Sequence, residues 1–180
     1  MGVLRSVKSL GLPDWCVCAG FVRSKVWDHL HEFDRPTRLA DVDVVYFDAM
    51  HTDEATEKEY EETLCRLDGA IPWSVRNQAR MHVKNGHTPY RSTADGVSKF
   101  PEVCTAIGVY IDATEEVRLV APYGNDDLVK LIVRPTPFYT TTDKRDIFEQ
   151  RMQIKQWQRT WRNLKIIHLK DGSAQSDTRG

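Results

Sequence analysis

Apolar residues fall along this chain in two rhythms, one of every second position and one of three to four. Val3, Leu4, Val7 and Leu10 share a helix face, so residues 1–10 predict a helix, which Gly11 and Pro13 end. Trp15-Cys16-Val17-Cys18-Ala19 reads as a buried strand closed by Gly20. Val22, Val26, Leu30 and Phe33 then recur at helical spacing over residues 21–33. The run Val44-Val45-Tyr46-Phe47 is β-branched and aromatic, as suits a central strand, and the chain enters it through Asp41 and Asp43. Residues 52–67 predict a helix capped by Thr52 or Asp53. Its apolar face carries Tyr60, Leu64 and Leu67, and its many glutamates form a solvated face.

Residues 73–83 alternate. Trp73, Val75, Asn77, Ala79, Met81 and Val83 fall on one side, and Ser74, Arg76, Gln78, Arg80 and His82 on the other. This predicts a strand with one mainly apolar and one cationic face, ended by a turn at Asn85-Gly86. Residues 105–111 and 117–121 predict two further strands, joined through Ala113-Thr114-Glu115-Glu116. A short apolar segment follows at residues 128–133, and Pro135 and Pro137 hold residues 134–138 as an extended connector. Residues 146–161 predict a helix, and the small, polar residues 170–180 a disordered tail. Strands and helices in this order predict an α/β fold: one domain over residues 1–169, with a mixed β-sheet flanked by helices.

Composition narrows the class. With 180 residues, 41% apolar and 28% charged, the chain has the make-up of a soluble globular protein. A formal net charge of −1 gives no general case for gripping long nucleic acid. No stretch approaches the ~20 apolar residues of a membrane span. Residues 1–10 lack the apolar core of a secretion signal, so a cytoplasmic location is expected. Cys16 and Cys18 sit two apart on one strand face, where a mutual disulfide has poor geometry. Neither they nor Cys65 and Cys104 show zinc-site spacing, so reduced thiols are expected.

Candidate chemistry centres on the aspartates. In extended chain Asp41 and Asp43 point to the same face, roughly 7 Å apart, and Asp48 to the other. Two carboxylates on one face repel unless a cation sits between them. Hard oxygen ligands of this kind suit Mg²⁺, with Mn²⁺ as a substitute, held by the acids and by substrate phosphates. The same acids also fit a solvated loop leading into a core strand, and a bare D-x-D leaves that alternative open. Gly20 falls at a strand-to-helix turn, where a small residue lets a ligand approach the backbone. The helix N-terminus beyond it offers unpaired N–H groups, and Arg23 a cationic fork suited to phosphate. Arg76, Gln78, Arg80 and His82 would face the same phosphates if their strand borders the site; otherwise they line a solvent-facing edge. His29 and His31 fall on different helix faces and are not read as metal ligands.

Ala19-Gly20-Phe21-Val22-Arg23 followed by Asp41-Val42-Asp43-Val44-Val45 resembles the signature of the DNA polymerase β-like nucleotidyltransferase superfamily. With Trp73-Ser74-Val75-Arg76-Asn77-Gln78-Ala79-Arg80-Met81-His82 and Val133-Arg134-Pro135-Thr136-Pro137, the chain is similar to an uncharacterised bacterial family of predicted nucleotidyltransferases, over roughly residues 13–165. The resemblance implies transfer of a nucleoside monophosphate from a nucleoside triphosphate to an unknown acceptor, with Asp41 and Asp43 as metal ligands. Ala19 stands where a first glycine is usual, and the gap from Gly20 to Asp41 is longer than the superfamily generally shows. The superfamily's third carboxylate, on a neighbouring strand, falls to Asn77 in this motif, which brings no charge; Glu102 and Asp112 are the other candidates. Two rivals remain beside the transferase: a degenerate nucleotide-binding regulator and a metal-assisted phosphohydrolase.

Overall fold

The computed structural model describes residues 1–141 and 144–169. The tail expected from residue 170 onward lies outside them. Helix α1 (Gly2–Lys8) precedes strand β1 (Cys16–Cys18), helix α2 (Gly20–Leu30), strand β2 (Val42–Tyr46), helix α3 (Glu54–Leu67) and strand β3 (Trp73–Asn77). Helices α4 (Gln78–Asn85) and α5 (Thr93–Ser98) lead to the hairpin of β4 (Gly108–Ile111) and β5 (Val117–Val120). Helix α6 (Asp126–Val129), strand β6 (Ile132–Val133), helices α7 (Pro137–Thr141) and α8 (Arg145–Lys155), a 3₁₀ turn (Trp157–Arg159) and strand β7 (Lys165–Ile166) complete the order.

The main sheet has the order β3-β2-β1-β4-β5 and is mixed: β2 and β3 run parallel and the other pairs antiparallel. Strand alternation divides its residues between two cores. Val17, Val44, Tyr46 and Val75 join Leu4, Val7, Trp27 and Leu64 from α1, α2 and α3 in the larger one. Cys16, Cys18 and Val45 pack with Val97 and Ala106 on the opposite face. A Cβ at Gly108 would lie 2.6 Å from Cys16 Sγ, so only glycine lets β4 approach the cysteine face of β1. The four cysteines are free and three of them are buried. Among the described residues no helix is long and apolar enough to cross a membrane.

Strand β3 departs from the expected alternation over residues 73–83. It ends at Asn77, whose side chain accepts the Ala79 N–H (3.0 Å) and caps α4. On a helix, positions two apart diverge, so Arg80 turns away from Gln78 and His82 and the expected cationic strand face does not exist. The reason lies on the free edge of β3. Its outer N–H groups need acceptors, and α3 supplies them: Val75 N donates to Glu61 (3.0 Å) and Asn77 N to Glu57 (2.9 Å). Four residues along a helix nearly match two along a strand, so Glu57 and Glu61 reach alternate β3 amides. Glu57 is fully buried, a correction to the solvated glutamate face.

Near the C-terminus the expected single helix over residues 146–161 breaks at Gln156, which adopts a left-handed φ of 45°. The turn beyond it swings Trp157 and Trp161 onto Trp27 of α2, with ring centroids 5.6 and 5.1 Å away. The connector expected at residues 134–138 instead runs into α7 from Pro137, which suits proline at a helix start.

Candidate active site

The antiparallel register of β1 and β2 sets Cys18 opposite Asp43, so the residues after Cys18 lie beside those before Asp43. The Ala19-Gly20 turn and the two aspartates therefore share one end of the sheet. Ala19 has φ 53° and ψ −120°, a conformation that L-residues other than glycine occupy only with strain. Gly20 starts α2, and a Cβ there would meet only Arg23 Nη2 at 3.7 Å and Leu39 Cδ2 at 4.0 Å. The protein itself leaves room for a side chain at Gly20, so packing alone does not demand a glycine there.

Asp41 is exposed and Asp43 half-buried. Burial, and then the neighbouring Asp41 charge, push the Asp43 carboxyl up to about 6, while Arg23, Arg76 and Lys155 pull the other way. Cys18 lies against the same face. Its hydrogen bond with Cys16, its burial and the two aspartates all hold the thiol protonated, which makes it packing and not a nucleophile.

Arg23 lies beneath the turn, 8% exposed. Its Nη1 donates to Thr105 Oγ1 (2.8 Å), its guanidinium stacks 4.2 Å from the Trp157 ring centroid, and its buried Nε has no hydrogen-bond partner. Burial lowers its pKa. Glu102, fully buried, accepts Arg151 Nε (2.7 Å) just behind this cluster. Arg151 and Lys155 share one face of α8, four residues apart, so α8 brings two cations to the aspartate end. Sequence reasoning missed Lys155. The one signal was its i+4 spacing from Arg151, on the helix face that also carries buried Phe148 and Met152.

The other expected site residues divide. Arg76 shares the Asp43 face of the sheet, two positions along β3 from Ser74, and pairs with Glu61 (3.2 Å). Asn77 stands opposite Tyr46 at the far end of β2. Its amide is fully used: Oδ1 accepts from Asp48 N and Ala79 N, and Nδ2 donates to the carbonyls of Asp48 and His51. Gln78 is buried against Gly96. Arg80 binds Glu57 (2.6 Å), and the His82 ring packs 6.1 Å from Tyr90. Neither alternative third acid joins the pair, since Glu102 serves Arg151 and Asp112 caps the β4–β5 turn and binds Arg118 (2.6 Å). The Asp112 carboxyl is held well below its usual range by Thr114 and Arg118. Asp48 lies beyond the end of β2, where strand parity no longer applies, and its carboxylate turns to His51. The position beside Asp43 on β3 is Ser74.

The donor set fits a hard divalent cation. Two carboxylates are held together although this disfavours ionising Asp43, and they would be relieved by a cation between them. Among the described residues no cluster of three or more His, Cys, Asp or Glu could hold a metal, so the remaining ligand positions would fall to phosphate oxygens and water.

This sheet, with an acid pair beside a small-residue turn, has the fold of the polymerase β-like nucleotidyltransferases. A family model described as nucleotidyltransferase matches residues 5–166, and the chain belongs to that family. It superposes with a TM-score of 0.84, at 32% identity, on a protein whose NMR structure reveals a CCA-adding enzyme head domain, covering 94% of this chain and 89% of that one. The CCA-adding enzyme of Thermotoga maritima, solved with tRNA_CCA, matches over 93% of this chain with a TM-score of 0.57 and 14% identity. That of Bacillus stearothermophilus, solved with CTP, matches over 87% with a TM-score of 0.50 and 14% identity. The chain spans 38% and 37% of those two longer enzymes, and at such identity the likeness is one of fold. A comparison with curated proteins finds no match.

Proposed function

We propose that this chain transfers a nucleoside monophosphate from a nucleoside triphosphate to an acceptor, with Mg²⁺ or Mn²⁺ held by Asp41 and Asp43 and pyrophosphate leaving. The observation that carries this reading is the meeting of the aspartate pair with the Ala19-Gly20 turn at one end of the sheet. The open N-terminus of α2 would receive the triphosphate, with Gly20 leaving its amides accessible. Arg23 has an unsatisfied Nε to offer and is fixed by Thr105 and Trp157, so a phosphate contact would cost little side-chain entropy. Lys155 and Arg76 add positive potential on the same face, where negative charge builds up on the leaving pyrophosphate. A divalent cation, when bound, would neutralise phosphate charge and align the attack on the α-phosphorus.

The likeness to CCA-adding enzymes makes CTP the first donor, and an RNA 3′ end the first acceptor, to test. Each of the four triphosphates, labelled on the α-phosphorus, is incubated with Mg²⁺, protein and a mixed RNA or small-molecule acceptor pool. Transfer gives a labelled acceptor and pyrophosphate. Inorganic phosphate would mark the phosphohydrolase instead. Gly20→Ala should fold as well as the wild type yet lose affinity for triphosphate; full affinity in that variant would count against the turn as the phosphate cradle.

One observation favours a second reading. Ser74, not an acid, stands beside Asp43 on the neighbouring strand, and Asn77 is committed to the α4 cap. A pair of carboxylates without a third suits binding a metal–nucleotide complex without turnover. Saturable Mg²⁺–triphosphate binding with no product across the acceptor pool would establish that reading.

A further inference from the structure

A cavity of about 710 Å³ opens at the N-terminal end of β2, and nothing in the proposed transfer uses it. Val3, Phe21, Leu39, Val42 and Ile71 form its walls, and all belong to the larger core or pack on it. Val42 alternates with Asp41 and Asp43, so the cavity lies on the other side of the sheet from the aspartate carboxylates. Its volume falls in the range of small-molecule sites, which combine apolar walls with a few placed polar groups.

The polar groups here have one sign. Lys25 and Arg38 are the charged residues of the lining, both are exposed, and among the described residues neither forms an ion pair. Thr37 also lines the cavity, but its N–H and hydroxyl are committed to Asp28. Lys25 Nζ lies 5.0 Å from the centroid of the Phe21 ring, which brings a cation and a flat apolar surface together. A larger cavity of about 810 Å³ beside β4 and β5 lacks this character. Asp14 and Asp112 line it, and its Lys8 is held by Glu115.

We infer that the cavity between α2 and the loop entering β2 binds an organic anion with a flat apolar body, such as an aryl phosphate or aryl carboxylate, at a site separate from the triphosphate. The apolar walls take the body, Phe21 its flat face, and Lys25 and Arg38 the anionic group. An anionic group held against the apolar walls would give Lys25 and Arg38 charge-assisted hydrogen bonds in place of solvent.

The test uses 1-naphthyl phosphate and the full chain, without metal or nucleotide, followed by amide NMR shifts and calorimetry. Saturable one-to-one binding is expected, with shifts at Phe21, Lys25, Leu39 and Ile71. The double variant Lys25→Ala, Arg38→Ala should keep its melting temperature, because both side chains are exposed, and lose at least about tenfold in affinity. Neutral 1-naphthol should bind at least about tenfold more weakly than the phosphate. Gly20→Ala, which weakens the triphosphate site, should leave the probe's affinity unchanged. The inference is overturned by absence of saturable binding, by equal affinity for 1-naphthol, by full affinity in the double variant, or by displacement with a non-hydrolysable triphosphate. None of these outcomes bears on nucleotide transfer, which is read from pyrophosphate release.

Discussion

The guanidinium of Arg23 lies 4.2 Å from the ring centroid of Trp157, a contact between residues 134 positions apart that ties the start of α2 to the segment after α8. Through it, the C-terminal region holds a buried cation beneath the Ala19-Gly20 turn with a hydrogen-bonding nitrogen left over. Trp157→Leu keeps the site apolar but removes a cation–π contact worth roughly 0.5–2 kcal/mol. Melting should fall modestly and triphosphate affinity should fall with it, measured by titration on the folded variant. Lost stability with unchanged affinity would make Arg23 a strut alone.

Asp43 gives a pH signature. Its folded carboxyl titrates at about 6, above the unfolded value of roughly 3.9. The native state therefore binds more protons between those values, and stability falls as pH rises through that window, with the full cost present above it. The cost is at most about 3 kcal/mol, less what solvent and the nearby cations screen. Asp43→Asn should flatten the profile between about pH 4 and 6 and melt higher at pH 7. Mg²⁺-dependent nucleotide binding should collapse in the same variant. A destabilised Asn variant that still bound nucleotide would sink the metal-ligand role.

At Ala19 the backbone holds an alanine where φ is 53°. Strain of this kind costs about 1–3 kcal/mol, and glycine returns part of that gain as unfolded-chain entropy, about 0.4–1 kcal/mol. Ala19→Gly should therefore raise stability by roughly 0.5–2 kcal/mol in denaturant melts. A lower midpoint would mean that the alanine methyl packs well enough to outweigh its backbone.

Glu57 and Arg80 meet at 2.6 Å with the carboxylate fully buried. Glu57→Gln should cost about 3 kcal/mol, because Arg80 loses its counter-charge and the Asn77 amide a strong acceptor. Nucleotide affinity of the folded fraction should not change. If affinity fell without loss of stability, Arg80 would belong with the phosphate-binding cations after all.

Local pattern and tertiary demand can be told apart residue by residue. Asp41 and Asp43 were legible because strand alternation is a local property: two residues of like parity share a face whatever packs around them. The strand-turn-helix at Cys18, Ala19 and Gly20 was legible for the same reason. Arg80 and His82 were misplaced because residues 73–83 alternate as well as any strand. What ends β3 is the Asn77 side chain turning back on Ala79, and what selects Arg80 is a buried Glu57 from a different helix. The first is a local cap that the alternation masks, and the second lies 23 positions away, outside the window that periodicity reads.

Sequence alone thus determined which residues could share a face and where the chain must turn, since backbone geometry repeats every two or 3.6 residues. Only the tertiary structure decided which faces meet. It set Cys18 against Asp43, gave the β3 amides to the α3 glutamates, and brought Lys155 and Trp157 to the aspartate end. Those choices depend on burying apolar area and satisfying backbone groups across 14 to 134 positions of chain, and no local rhythm encodes them.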